Sequence, residues 1–156
     1  YATGDDTPGD RTLSSVVTGN SYGLPGALHG THRSLLLFPD LKVVNRQVAV
    51  VYDPANLGYG VMAAFANGSV DLVADVLNLK LGMATAQAAA VPAGDDRFIG
   101  IEGNLELLYR PMPFLWLGAH GAVVRLGKFL EGRVSEDPLP ESRPWTAYLS
   151  ATWVHF

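Results

Sequence analysis

The residues best equipped for chemistry are charged and polar side chains at alternating positions. Glu102, Asn104 and Glu106 fall at every second residue, with Lys80 before them, and Arg110 and His120 after. Two carboxylates can share acid and base roles across a glycosidic bond when they stand about 5 to 9.5 Å apart. Glu102 and Glu106 are four residues apart, which on a strand at about 3.3 Å per residue is roughly 13 Å. That is too far for the paired-carboxylate reaction. The same residues suit a different task, since charges lining a hydrated passage set which ions or sugars pass. The bland alternative is that they hold one another across neighbouring strands.

Other candidates are weaker. His29 and His32 have a spacing that suits a metal, but two ligands with no acid between them read as a solvated loop. Asp5, Asp6 and Asp10, like Asp95 and Asp96, offer hard oxygens for Ca²⁺ without the EF-hand spacing, and read as turn residues. The chain has no cysteine, which removes thiolate metal sites, disulfides and cysteine nucleophiles. It has no Gly-x-Ser-x-Gly elbow, no His-Glu-x-x-His and no phosphate-cradling glycine loop. No enzyme and no cofactor is expected. With 11 Lys and Arg against 15 Asp and Glu, no basic footprint for nucleic acid is present.

The elements that position these residues follow from the apolar pattern. The 156 residues are 48% apolar and 17% charged, with 17 glycines and a mean hydropathy of +0.16. The apolar runs, Gly58–Ala66 and Met112–Leu117 among them, fall well short of the about 18 residues of a membrane helix. Residues 4–57 are rich in Gly, Pro, Asp, Asn and Ser and read as a long irregular segment, with islands at Ser34–Phe38 and Val48–Tyr52 that suit a short strand or helix. From residue 58 the period becomes two. The expected strands are Tyr59–Ala66, ending at Asn67-Gly68, then Val76–Gln87, Phe98–Arg110, Phe114–Leu126 and Trp145–Phe156. Turns without helical spacers make them an antiparallel meander.

One face of Phe98–Arg110 carries Ile99, Ile101, Gly103, Leu105, Leu107 and Tyr109, and the other carries Glu102, Asn104, Glu106 and Arg110, with Leu108 among them. Val76–Gln87 sets Leu77, Leu79, Leu81 and Met83 against Asn78 and Lys80. In Phe114–Leu126 the odd positions are apolar, which puts His120 on the polar side. Such alternation belongs to a transmembrane β-strand, apolar outward and polar inward, or to a soluble sandwich with one solvated face. Aromatics at strand ends and the alternation of tight and long connections favour the membrane. The long connections, residues 4–57 included, then fall on one side, the extracellular one.

The last strand ends at Phe156 and resembles the terminal signal of bacterial outer-membrane barrels, which implies the barrel-assembly machinery as a partner. By that parity Tyr148, Val154 and Phe156 face outward, although Ala147, Leu149, Ala151 and Trp153 form the more apolar face. Counting a strand that ends near Tyr1, six strands are fewer than the about eight of the smallest membrane barrels. The expectation is a C-terminal part of a larger barrel: residues 1–57 a strand end and loop, residues 58–156 the closing strands. Gly100-Ile101-Glu102-Gly103-Asn104-Leu105-Glu106-Leu107, then Leu117-Gly118-Ala119-His120 and Leu126-Gly127, resemble the closing hairpin of the alginate-export family of outer-membrane porins. Tyr1-Ala2-Thr3-Gly4-Asp5-Asp6 resembles that family's segment before a long loop. The resemblance implies a barrel in the outer membrane of a Gram-negative bacterium that passes an anionic polysaccharide through a basic lumen. Here Lys80, Glu102, Asn104, Glu106, Arg110 and His120 would line a mixed wall, so a polar or anionic solute is the broader expectation. The competing expectation is a soluble or periplasmic β-sandwich that binds a ligand.

Overall fold

A computed structural model of the chain describes residues 1, 3–7, 10, 14, 34–38, 58–130 and 143–154. Among them the chain is all-β, a single five-stranded antiparallel sheet in the order β1-β2-β3-β4-β5, open at both edges. The strands are β1 (Met62–Val73), β2 (Leu77–Gln87), β3 (Phe98–Met112), β4 (Leu115–Leu126) and β5 (Trp145–Trp153). A 3-10 turn, Lys128–Leu130, follows β4. Each strand pairs with its neighbour in sequence, as alternating apolar residues separated by turns require.

β1 runs five residues beyond the Asn67-Gly68 signal. Asn67 and Gly68 pair with Gly82 and Leu81 inside the ladder, and the chain reverses at Asp75, whose φ is 59°. The Val76 amide donates to the Val73 carbonyl across that turn at 3.1 Å. An Asn-Gly pair marks a hairpin only where the flanking residues can pair with each other; here alternation continued through it. The tight turns after β1 and β3 lie at one end of the sheet, and the connections after β2 and β4 lie at the other.

The two faces are strongly unlike. Register carries Leu81, Leu105, Gly121 and Ala147 into one row, and Leu79, Leu107, Ala119 and Leu149 into the next. The rows above and below add Met83, Gly103, Val123 and Trp145, and Leu77, Tyr109, Leu117 and Ala151. Much of this face is bare: Met83 is 56% exposed, Val123 52% and Leu149 84%. Polar side chains on it, Thr85, Gln87 and Arg125, keep to the end with the long connections, and Thr85 turns its hydroxyl to the Gly100 carbonyl.

The opposite face is polar toward the tight turns and covered toward the long connections. There residues 34–38 fold onto it as a series of bends, neither the strand nor the helix that their apolar run suggested. Leu36, Leu37 and Phe38 bury against Val61, Ala84, Ala86, Val124 and Phe129, with Phe38 edge-on to Phe65 at 5.2 Å between ring centres. Ile99 belongs to this core. Expected on the lipid-facing side with Ile101, it is 0% exposed, because a bulge leaves it between the pairs Gln87–Phe98 and Ala86–Gly100 and reverses its direction.

Tyr148 is the second correction. It pairs with His120 on the polar face, while Ala147, Leu149, Ala151 and Trp153 align with the apolar rows. Local hydropathy, not the terminal-signal parity, sets the face of β5. Phe156, His29, His32 and Val48–Tyr52 lie outside the described residues. No strand occurs among the described residues before 58; Asp5 instead donates its amide to the Gly58 carbonyl at 2.7 Å.

Candidate functional site: the polar face of the sheet

Strand pairing places Ser69, Lys80, Glu106, His120 and Tyr148 side by side in one row across all five strands. Lys80 Nζ donates to Glu106 Oε1 at 2.7 Å, and His120 Nδ1 lies 2.8 Å from Glu106 Oε2. The other ring nitrogen, Nε2, lies 2.8 Å from Ser150 Oγ, one step along β5. Tyr148 stacks on the imidazole at 4.6 Å with 12° between planes. His120 and Glu106 are nearly covered, with 9% and 14% of their side chains exposed, whereas Lys80 reaches outward at 36%.

Toward the long connections stands Glu102, 0% exposed. Burying a carboxylate is costly unless hydrogen bonds replace its water. Here the backbone supplies them: the Leu35 amide donates to Oε1 at 2.6 Å, and the Leu36 and Leu37 amides donate to Oε2 at 2.9 and 2.6 Å. Asn104 Nδ2 adds a bond to Oε1 at 3.0 Å. The bend itself is held by Ser34, whose Oγ accepts from the Phe38 amide at 2.7 Å. Glu102 therefore clamps a distant segment to the sheet.

Two glycines make the room. A Cβ at Gly82 would strike the side-chain oxygens of Asn67 and Asn104, and one at Gly118 would strike His120 Nε2 and Ser150 Oγ. Asn67 and Asn104 lean over Gly82 from the two flanking strands, and His120 of the same strand and Ser150 of the next lean over Gly118. Among the described residues no buried side-chain nitrogen or oxygen lacks a partner.

Of the six residues singled out from sequence, Lys80, Glu106 and His120 join one network, and Glu102 and Asn104 a second. Arg110 joins neither. It sits near the tight turn after β3, its guanidinium 5.6 Å from the Trp116 ring centre and 3.3 Å from the Pro113 carbonyl. Sequence reading missed Ser150 and Tyr148, whose signal was the apolar parity of Ala147, Leu149 and Ala151 that puts even residues of β5 inward. It also missed the partner of Glu102, since nothing local ties residue 102 to residues 35–37. Asp5 and Asp96 act as turn residues, accepting from the Thr7 and Phe98 amides at 3.1 and 2.7 Å. Among the described residues no group of three metal-ligating acids or histidines converges.

Comparison with protein-family models, with curated proteins and with solved structures finds no match for this chain.

Proposed function

We propose that this chain is a section of wall from a bacterial outer-membrane β-barrel whose hydrated lumen passes a polar or anionic solute. The observation that carries the reading is the inverted sheet. Glu102, Asn104, Glu106 and His120 on one face are covered and hydrogen-bonded, whereas Leu81, Met83, Leu105, Val123, Trp145, Leu149 and Trp153 on the other are bare. In water that arrangement exposes apolar area at about 25 cal/mol per Å². In a bilayer the same face is in its preferred solvent, and the polar face belongs to the lumen.

The dimensions agree. Trp145 and Trp153 lie on the apolar face at opposite ends of β5, eight residues apart. At about 3.3 Å per residue they are about 26 Å apart along the strand, which at the about 40° tilt of barrel strands is about 20 Å of depth, within the about 25 Å apolar band of such barrels. The tight turns share one end and the longer connections the other, as periplasmic turns and extracellular loops do. Open edges cannot persist in hydrocarbon, so β1 and β5 would each pair with a further strand. Residues 34–38 narrow the lumen from the wall.

The solute class rests on charge. Lys80 is paired with Glu106, so this wall lacks the basic row that passage of an anionic polysaccharide calls for, and favours a polar solute of mixed character. The test is the full-length protein extracted in mild detergent. A heat-dependent change in gel mobility and conductance in planar bilayers support the barrel. A monodisperse protein that needs no detergent would replace it with a sandwich, its apolar face packed on a second sheet.

A further inference from the structure

Glu106, His120 and Ser150 come from three successive strands and meet in a defined order, His120 between the other two. An ionised carboxylate can only accept, so the Glu106 contact assigns the ring proton to Nδ1. In the neutral imidazole Nε2 is then the acceptor, and the Ser150 hydroxyl donates to it at 2.8 Å. That is the relation among nucleophile, base and orienting acid that activates a serine for acyl transfer.

Three separate features maintain it. Tyr148 stacks on the imidazole and fixes its plane. Lys80 occupies the second oxygen of Glu106, which stops the carboxylate turning away. Gly118 leaves empty a position where a side chain would strike both His120 Nε2 and Ser150 Oγ. Purely structural strand pairing needs none of these alignments at Nε2.

We propose that Ser150 is a nucleophile and His120 its general base, forming an ester-cleaving site on the polar face with Glu106 as the positioning residue. Ser150 Oγ attacks the carbonyl carbon of a carboxylic ester, and its proton passes to His120 Nε2. The ester C–O bond breaks, and that proton goes to the departing alkoxide. Water, its proton taken by Nε2, then attacks the acyl-serine; the carboxylic acid leaves and the proton returns to Ser150. The proposal stands on β3, β4 and β5 and not on the membrane reading, so each can fail alone.

The probe is a fluorophosphonate, applied to the folded full chain, with the adduct mapped by peptide mass spectrometry. The expected result is one adduct, on Ser150, absent from Ser150→Ala. His120→Gln should slow labelling by about 100-fold or more, the usual worth of a positioned base. Glu106→Gln should lower the maximal labelling rate while the half-saturating probe concentration stays fixed. Labelling of the unaltered chain needs no variant: absence of an adduct at Ser150, or one only at another residue, overturns the proposal. So does a folded His120→Gln chain, with native circular dichroism, that labels at the unaltered rate.

Discussion

Glu102 illustrates how a single side chain can be legible in type and illegible in role. Its alternation with Asn104 and Glu106 marks a polar face, but its three backbone donors lie 65 to 67 residues earlier. Hydrogen bonds to a charged acceptor are worth about 1.5–3 kcal/mol each when broken. Glu102→Gln keeps the shape and removes the charge, so the Leu35, Leu36 and Leu37 amides should exchange with solvent much faster. Amides within the β2–β3 ladder should keep their protection. Equal loss of protection in both places would mean that Glu102 holds the sheet and not the segment. Gly118→Ala tests the second network: its methyl group must displace His120 or Ser150, at a cost of about 1–3 kcal/mol for overpacking. Denaturant unfolding should report that loss. Ala119→Gly, one residue away on the open face, lacks the clash and loses only strand propensity, under about 1 kcal/mol.

At the scale of elements, the strands were readable wherever alternation and turn chemistry agreed. β2, β3 and β4 start and stop within two residues of expectation, because period-two patterning is a local property. β1 was cut short by Asn67-Gly68, since a turn dipeptide and a strand interior look alike until a partner strand is known. Ile99 was misdirected by a bulge, which shifts parity without changing composition. In β5 two signals conflicted, and the apolar residues facing Leu117 and Ala119 prevailed over the terminal aromatic. The apolar face yields its own prediction. Leu105→Arg and Leu107→Arg, at mid-strand, should each cost about 2–4 kcal/mol when unfolding is followed from lipid bilayers. For a face in water the same substitutions should fall within about 0.5 kcal/mol. Arg at Val123, nearer the rim, should cost less than at Leu107.

For the whole molecule, the unlike faces make tryptophan a depth gauge. Trp145 and Trp153 stand on the apolar face, and Trp116 on the polar one beside Arg110. Brominated lipids should quench the first two and spare Trp116; uniform quenching, or none, would contradict the sidedness proposed for the sheet. The clamp of Glu102 on residues 34–38 also bears on the order of assembly. Each strand of the meander pairs with its neighbour in sequence, so its pairings are cheap in loop entropy. The segment at 34–38 has no docking surface until β2, β3 and β4 are side by side, and its hydrogen bonds to Glu102 span more than sixty residues. It is thus a latecomer to the folded state. Weakening the clamp should hasten its release and leave the rate at which the sheet first forms almost untouched.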